Sequence, residues 1–182
     1  MISATVGTTQ TKGKRAVITG LDMYLHAKKY VSSDVSIDPE GNAYEDILAG
    51  AGLSRSDLAD SAYNSLTVKV QVAYWRKANA IHDWFVKNVQ EGNDNCGEYE
   101  VSREQLAELA ALCDKVLADH DLAEELLPPA EGFFFGGTEL DEWYFGSLAE
   151  TRNAIDKLLN PLSPLNAKLG WGGWWFQYSS SW

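Results

Sequence analysis

The chain contains 182 residues, of which 45% are hydrophobic and 23% are charged, and this composition is typical of a folded globular domain rather than a disordered chain. Its formal net charge is −11, so its surface repels phosphate backbones and we expect no bulk nucleic-acid partner. The length fits one domain with a sizeable core.

The N-terminal residues 1–19 are predicted to be a flexible extension, because they open with a Thr-, Gly- and Lys-rich stretch that has no periodicity. They lack the apolar core of a signal peptide, and no apolar run in the chain approaches the roughly 18 residues of a membrane span. We therefore expect no export and no membrane partner. A single domain is predicted over residues 20–182, and alternating apolar and polar residues predict its first strand at 21–29.

Two short helical segments and a second strand are predicted next. Residues 43–53 have helical spacing, and Ser54 is placed to cap a short helical turn. Residues 65–74 alternate valines and a leucine with polar side chains, which is the clearest strand pattern in the chain.

A helix is predicted over 75–90, directly after this strand. On a helical wheel one face is apolar and should be buried; its residues are Ala78, Ile81, Phe85 and Val89. His82 lies inside the same arc, whereas Trp84 is predicted to point away from the core.

The polar residues of this segment form a candidate site for an anion. Arg76 and Lys77 would occupy the first turn of the helix, where free amide N–H groups and the helix dipole add to their attraction for phosphate. Asn79 and His82 would then contact polar edges of the ligand, with Asp83 on the same stripe. Two alternatives stay open: a solvated helix face with an intrahelical ion pair, and a core-edge imidazole whose nitrogens are hydrogen-bonded by a backbone carbonyl and a carboxylate.

The C-terminal half predicts three more helices and a last strand. Ser102 and Gln105 form a capping box at the start of one helix, and a short helix at 121–127 ends before two prolines. A long helix is predicted over 138–159, and alternation predicts a strand from Trp174. Three strands and about four helices give a helix-rich α+β domain with a small antiparallel three-stranded sheet.

Tryptophan is unusually frequent, with seven residues in the chain. Five of these lie in the last forty residues: Trp143, Trp171, Trp174, Trp175 and Trp182. Much of this aromatic content should be core packing, but rings near hydroxyls and an arginine can also hold a nucleobase and its phosphate. The same residue types concentrate in protein interfaces, so the alternative interpretation is that the aromatic C-terminus binds another protein.

The chain carries none of the common motifs for nucleotide, metal or acyl chemistry. Its two cysteines make neither a disulfide framework nor zinc spacing, and the acidic neighbours of Cys96 make that thiol a poor nucleophile. We therefore expect reduced thiols in a cytosol, no cofactor, no metal and no catalytic residue. A phosphohydrolase that uses His82 and a carboxylate remains an alternative.

Several separated blocks of sequence resemble a family of small bacteriophage-encoded proteins. The blocks are GLDMYL from Gly20, YWRKANAIHDWF from Tyr74, CGEYEVSREQL from Cys96, GFFFG from Gly132 and YSSSW from Tyr178. The resemblance carries no particular activity. It implies a phage accessory protein in the cytoplasm of an infected bacterial host, where such proteins counter host defences by sequestering a nucleotide signal or by binding a host effector.

The sequence therefore predicts a non-catalytic pocket for a small anionic, nucleotide-like ligand. The predicted ligand-binding residues are Arg76, Lys77, Asn79, His82, Asp83, Trp143, Tyr144 and Trp182. The alternative is a protein–protein inhibitor that grips a host factor through its aromatic C-terminus. The ligand, the host partner and the oligomeric state are left open.

Overall fold

The computed structural model describes residues 20–34, 36, 42–58, 64–132, 135–169 and 173–182. The predicted N-terminal extension lies outside the described residues. Within the described ranges, no helix is both long enough and apolar enough to cross a membrane.

The described part of the chain is an α+β fold with four strands and six α-helices. The strands are β1 (Asp22–Ser32), β2 (Ser65–Arg76), β3 (Glu98–Val101) and β4 (Trp174–Ser181). The helices are α1 (Asn42–Gly50), α2 (Asn79–Asn88), α3 (Arg103–Ala118), α4 (Ala123–Leu126), α5 (Glu142–Leu159) and α6 (Pro164–Leu169), with short 3₁₀ turns at Arg55–Asp57 and His120–Leu122. The α+β class and the antiparallel sheet are confirmed.

The sheet has four strands in the order β2-β1-β4-β3, and every neighbouring pair is antiparallel. The predicted count of three was wrong because β3 has only four residues and follows a polar turn, so its alternation is too short to recognise. Its pairing with β4 completes the sheet, with Tyr99 opposite Tyr178 and Val101 opposite Phe176.

One face of the sheet forms the core with the helices. Met23, Leu25 and Ala27 of β1 are fully buried there, and Tyr24 and His26 lie half-buried on the opposite face. The helical side of the core comes mainly from α2, α3 and α5; its fully buried residues include Ile81, Phe85, Leu106, Leu109, Cys113, Leu148 and Leu158. Ala78, Ile81 and Phe85 of the inward face predicted for the helix after the second strand are therefore confirmed as buried.

The start of α2 differs from the prediction. Arg76 is the last residue of β2, opposite Asp22 of β1, and Lys77 donates its backbone N–H to the Leu21 carbonyl at 2.8 Å. Pairing with β1 thus extends the strand beyond its alternating pattern, and the helix begins only at Asn79. The prediction that Arg76 and Lys77 occupy the first helical turn is wrong, so any attraction they exert on an anion comes from their side-chain charges.

Trp84 was also predicted wrongly, since only 5% of it is exposed. Its indole meets the Phe85 ring edge to face, with centroids 5.3 Å apart. Asn79, on the predicted polar stripe, is likewise only 5% exposed. The helix is covered on more than one side, whereas a helical wheel assumes a single buried face.

Candidate functional site

A two-lobed cleft lies between the β2–α2 turn and the first turns of α5. Its polar lobe, of about 260 Å³, is lined by Lys77, Asn79, Gly136, Gly137, Glu139 and Asp141. Its aromatic lobe, of about 250 Å³, is lined by Tyr74, Trp75, Arg76, Glu142, Gly146 and Glu150. Ala78, Trp143 and Ser147 border both lobes, so the two lobes adjoin one another.

Arg76 is both oriented and accessible in the aromatic lobe. Its Nη1 lies 3.5 Å from Oδ1 of Asp22, a carboxylate that is almost fully buried and also accepts a hydrogen bond from the Tyr74 hydroxyl. This hydrogen bond, together with burial, raises the pKa of Tyr74. The Arg76 side chain is nevertheless 44% exposed. A guanidinium has five N–H donors, so the contacts of Arg76 with Asp22 and with the Tyr74 hydroxyl leave other donors for a ligand.

Lys77 supplies a second cation, on the polar side of the cleft. It has a positive φ of 56° and an exposed side chain, and none of the described carboxylates lies within 4.0 Å of its ammonium nitrogen. Gly136 packs against it so closely that a Cβ added to that glycine would stand 3.3 Å from Lys77 Cβ. The backbone of the 135–137 segment thus forms one wall of the polar lobe.

Trp143 is the most exposed ring of the cleft. It is 66% exposed, although it stands in the first turn of a helix whose next residue is buried. The ring stands between the two recesses and borders both of them. Its indole is therefore available to stack on a ligand.

Two of the predicted binding residues line the cleft but have structural roles. Asn79 donates from Nδ2 to the Gly137 carbonyl at 2.8 Å and accepts from the Ala130 N–H, which ties these two residues to the start of α2. The Tyr144 hydroxyl donates to the Leu127 carbonyl at 2.7 Å, and burial raises its pKa to about 12. Both side chains are more than nine-tenths buried, so they shape the cleft.

Carboxylates outnumber cations around the cleft. Those that line it are Glu139, Asp141, Glu142 and Glu150. Asp141 is committed to the N-cap of α5, where it accepts from the Tyr144 N–H at 3.0 Å. The mixture of charges disfavours a polyanion, and it suits a ligand that combines a single anionic group with hydrogen-bond donors.

His82 lies outside the cleft, in a separate buried cluster. Its ring is 1% exposed, with Nδ1 2.7 Å from the Tyr178 hydroxyl oxygen and Nε2 3.1 Å from Asp94 Oδ2. The Phe135 ring packs edge-on against the imidazole, and Trp182 donates its indole N–H to the same Asp94 carboxylate at 3.1 Å. The structural alternative for His82 therefore holds in part: a carboxylate engages one nitrogen as predicted, but a tyrosine hydroxyl takes the place of the predicted backbone carbonyl.

The hydrogen bonds assign the tautomer of His82. An ionised carboxylate only accepts, so Nε2 carries the proton that is shared with Asp94. Burial, and secondarily the charge of Asp94, raises the pKa of Tyr178 well above its ordinary value, so that hydroxyl keeps its proton and can donate to an Nδ1 that carries none. Both ring nitrogens are engaged in this arrangement, so neither is free for a substrate.

The remaining predicted residues lie apart from the cleft. Asp83 forms an intrahelical ion pair with Lys87 at 2.6 Å. Trp182 is 44% exposed and contacts Phe135 and Asp94 in the His82 cluster. Of the predicted set, the structure brings Arg76, Lys77, Asn79, Trp143 and Tyr144 together at the cleft and leaves the other three elsewhere.

The sequence did not predict several residues of the cleft and of the His82 cluster. Asp94 lies in the polar turn after α2, and no local pattern marks it as the partner of His82. The sequence did contain a signal for three others, because Glu142, Gly146 and Glu150 recur every fourth residue and therefore lie on one stripe of α5.

Comparisons with known proteins identify no relative of this chain. The chain matches no protein-family model, no curated protein and no solved structure.

Proposed function

We propose that the cleft binds one small nucleotide-like ligand, with a flat ring on Trp143 and an anionic group near Arg76 and Lys77, and that the protein catalyses no reaction on it. The observation that carries this proposal is the placement of an accessible guanidinium and a 66% exposed indole in the same lobe, although they are far apart in sequence. Stacking and charge-assisted hydrogen bonds together are how such ligands are held.

The size and charge of the cleft narrow the ligand class. Two adjoining lobes of about 260 and 250 Å³ are of a size for a single mononucleotide-sized molecule rather than a polymer. Across the two lobes, two cations face four carboxylates, so the cleft would repel a ligand with several phosphates. A nucleoside monophosphate or a cyclic nucleotide fits this balance.

The environment of His82 supports binding over hydrolysis. A general base needs a nitrogen within hydrogen-bond reach of the substrate, and both nitrogens of this buried ring are engaged by Tyr178 and Asp94. The resemblance to phage-encoded proteins suggests a use for binding without turnover, namely sequestering a host nucleotide signal in the host cytoplasm.

Calorimetric titration with nucleoside monophosphates and cyclic nucleotides tests the proposal. We expect Arg76→Ala to weaken binding by roughly 10- to 100-fold, because it removes a charge-assisted hydrogen bond worth about 1.5–3 kcal/mol. Arg152→Ala is the matched control, since that arginine is similarly exposed, pairs with Asp114 at 3.0 Å and lies outside the cleft. Equal affinities of the Arg76 variant and the wild type would contradict the proposed site.

A protein interface at the C-terminus is the second candidate, favoured by the 44% exposure of Trp182. Substituting Trp143 and Trp182 separately by alanine distinguishes the two functions. Loss of stacking on Trp143 should weaken nucleotide binding by about 1–3 kcal/mol, while Trp182→Ala should leave it unchanged. Failure of every nucleotide to bind, with capture of a host protein that Trp182→Ala abolishes, would favour the interface.

A further inference from the structure

Gly146 forms an opening in the aromatic lobe that packing does not explain. It lies inside α5, where glycine costs about 1 kcal/mol relative to alanine, and a Cβ added there would meet nothing within 4 Å. No close approach of another element requires a glycine at this position. What it does provide is open space on the helix surface that lines the aromatic lobe.

The surroundings of this opening suit a planar ring. Trp75, Tyr74 and Trp143 contribute aromatic surface to the same lobe, and Ala78 adds a small apolar side chain. A flat heteroaromatic group that lies against the helix at Gly146 would be bordered by rings and would leave only its edges for polar contacts.

The rim of the lobe offers acceptors to those edges. Glu142 and Glu150 lie four residues before and after Gly146, so both carboxylates stand on the glycine stripe of α5. Both are exposed, and neither forms an ion pair or a hydrogen bond to another side chain among the described residues. A carboxylate is acceptor-only, and its two oxygens match two adjacent N–H donors.

We propose that the aromatic lobe selects guanine, with Glu142 or Glu150 accepting from its N1–H and exocyclic amino group while the ring lies over Gly146. This inference rests on the proposed function and names the base of its ligand. Guanine presents two adjacent donors to one carboxylate, whereas hypoxanthine has lost the amino donor and uracil offers a single N–H. The carboxylates that repel polyphosphates thereby become the specificity determinants of the site.

The test is calorimetric titration with GMP and IMP, which differ only in the 2-amino group. We expect the wild type to bind GMP at least about tenfold more tightly than IMP, because one charge-assisted hydrogen bond is missing for IMP. The double variant Glu142→Gln/Glu150→Gln should bring the two affinities within about threefold of each other. Its control is Glu108→Gln/Glu124→Gln, which makes the same change in net charge at exposed positions away from the cleft.

Each outcome separates the inference from the function it rests on. Equal wild-type affinities for GMP and IMP, with both lost in Arg76→Ala, would overturn the guanine assignment and leave the proposed function standing. An unchanged GMP preference in the Glu142/Glu150 double variant would overturn the assignment of the two glutamates as specificity determinants. Absence of binding by GMP, IMP and every other nucleotide would overturn both proposals.

Discussion

In the structure the side chain of His82, a predicted ligand-binding residue, connects elements in the interior of the fold. Its imidazole joins α2 to β4 through Tyr178 and to the turn after α2 through Asp94, so one side chain connects three parts of the chain. The Phe85 ring stacks on Tyr178 with centroids 3.9 Å apart, which encloses the cluster on its apolar side. A buried network of this kind stabilises only while every member is hydrogen-bonded.

Tyr178→Phe should therefore destabilise the protein by about 1–3 kcal/mol, because it leaves Nδ1 of His82 buried without a donor. Urea denaturation measures this change. Tyr99→Phe is the control, since the Tyr99 hydroxyl donates to Asn95 in an exposed setting, and we expect it to cost no more than about 0.5 kcal/mol. Nucleotide affinity should be unchanged in both variants, and a Tyr178→Phe protein that is fully stable would refute the structural role.

Residue identities and local spacing indicated which side chains were unusual but not what they would contact. The inward position of His82 followed from helical periodicity, since it shares an arc with Ile81 and Phe85. Its partners Asp94 and Tyr178 are set by the turn after α2 and by the register of β4, and both are long-range features that a local pattern does not contain.

At the scale of elements, the sheet is tied together by a charge cluster as well as by its hydrogen-bond ladder. Glu98 of β3 pairs with Lys69 of β2 and, at 2.9 Å, with Lys28 of β1. Hydrogen bonds from Lys69 and then from Lys28 lower the pKa of Glu98 from 4.5 to about 2. The short outermost strand is thus joined to both strands beyond β4.

This pKa gives the cluster a defined pH dependence. Because the folded-state pKa of Glu98 is depressed, its contribution to stability is complete above pH 4.5 and is lost as the pH falls towards 2. Urea denaturation should show Glu98→Gln less stable than the wild type at pH 6, with the difference shrinking between pH 4.5 and 2.5. Added salt should also reduce it, because the Glu98 side chain is 44% exposed. A difference that is constant across this pH range would contradict the assignment.

A second prediction at the scale of elements concerns Gly146 in helix α5. Gly146→Ala should raise the free energy of unfolding by up to about 1 kcal/mol, because alanine is the better helix former and its Cβ enters open space. The same methyl group would reduce the room for a ring in the aromatic lobe, so nucleotide affinity should fall. Urea denaturation and calorimetry on one variant measure both effects. A more stable protein with undiminished affinity would show that the ring lies elsewhere.

The prediction of elements succeeded where the pattern was long and failed at boundaries. The capping box of Ser102 and Gln105 is present at the start of α3, and β2 and β4 follow their alternating residues. The β2–α2 boundary was misplaced because pairing of Arg76 with β1 is a tertiary effect that overrides helical spacing. That misplacement matters for the site, since it moves Arg76 and Lys77 from a helix terminus to a strand end and its turn.

For the molecule as a whole, the central feature is the meeting of β2 and α5 at one recess. The net charge of −11 disfavours a polymeric anion as a ligand, but it does not indicate how cations and carboxylates are distributed over the surface. At the cleft, Arg76 and Lys77 stand beside an exposed indole and a carboxylate stripe, and this is the surface that we propose binds a small ligand of mixed polarity. Convergence of this kind depends on topology, so the sequence could predict some of the participants without predicting their arrangement.

The most direct test is to follow the indole N–H signals by NMR while GMP is added to the protein. The account predicts that the Trp143 signal moves and saturates, while the Trp182 signal, held by Asp94 outside the cleft, stays in place. Reaching the same Trp143 shift should take roughly 10- to 100-fold more GMP in Arg76→Ala and the wild-type concentration in Arg152→Ala. A titration in which Trp182 moves and Trp143 does not, or in which neither signal moves at saturating GMP, would contradict the account.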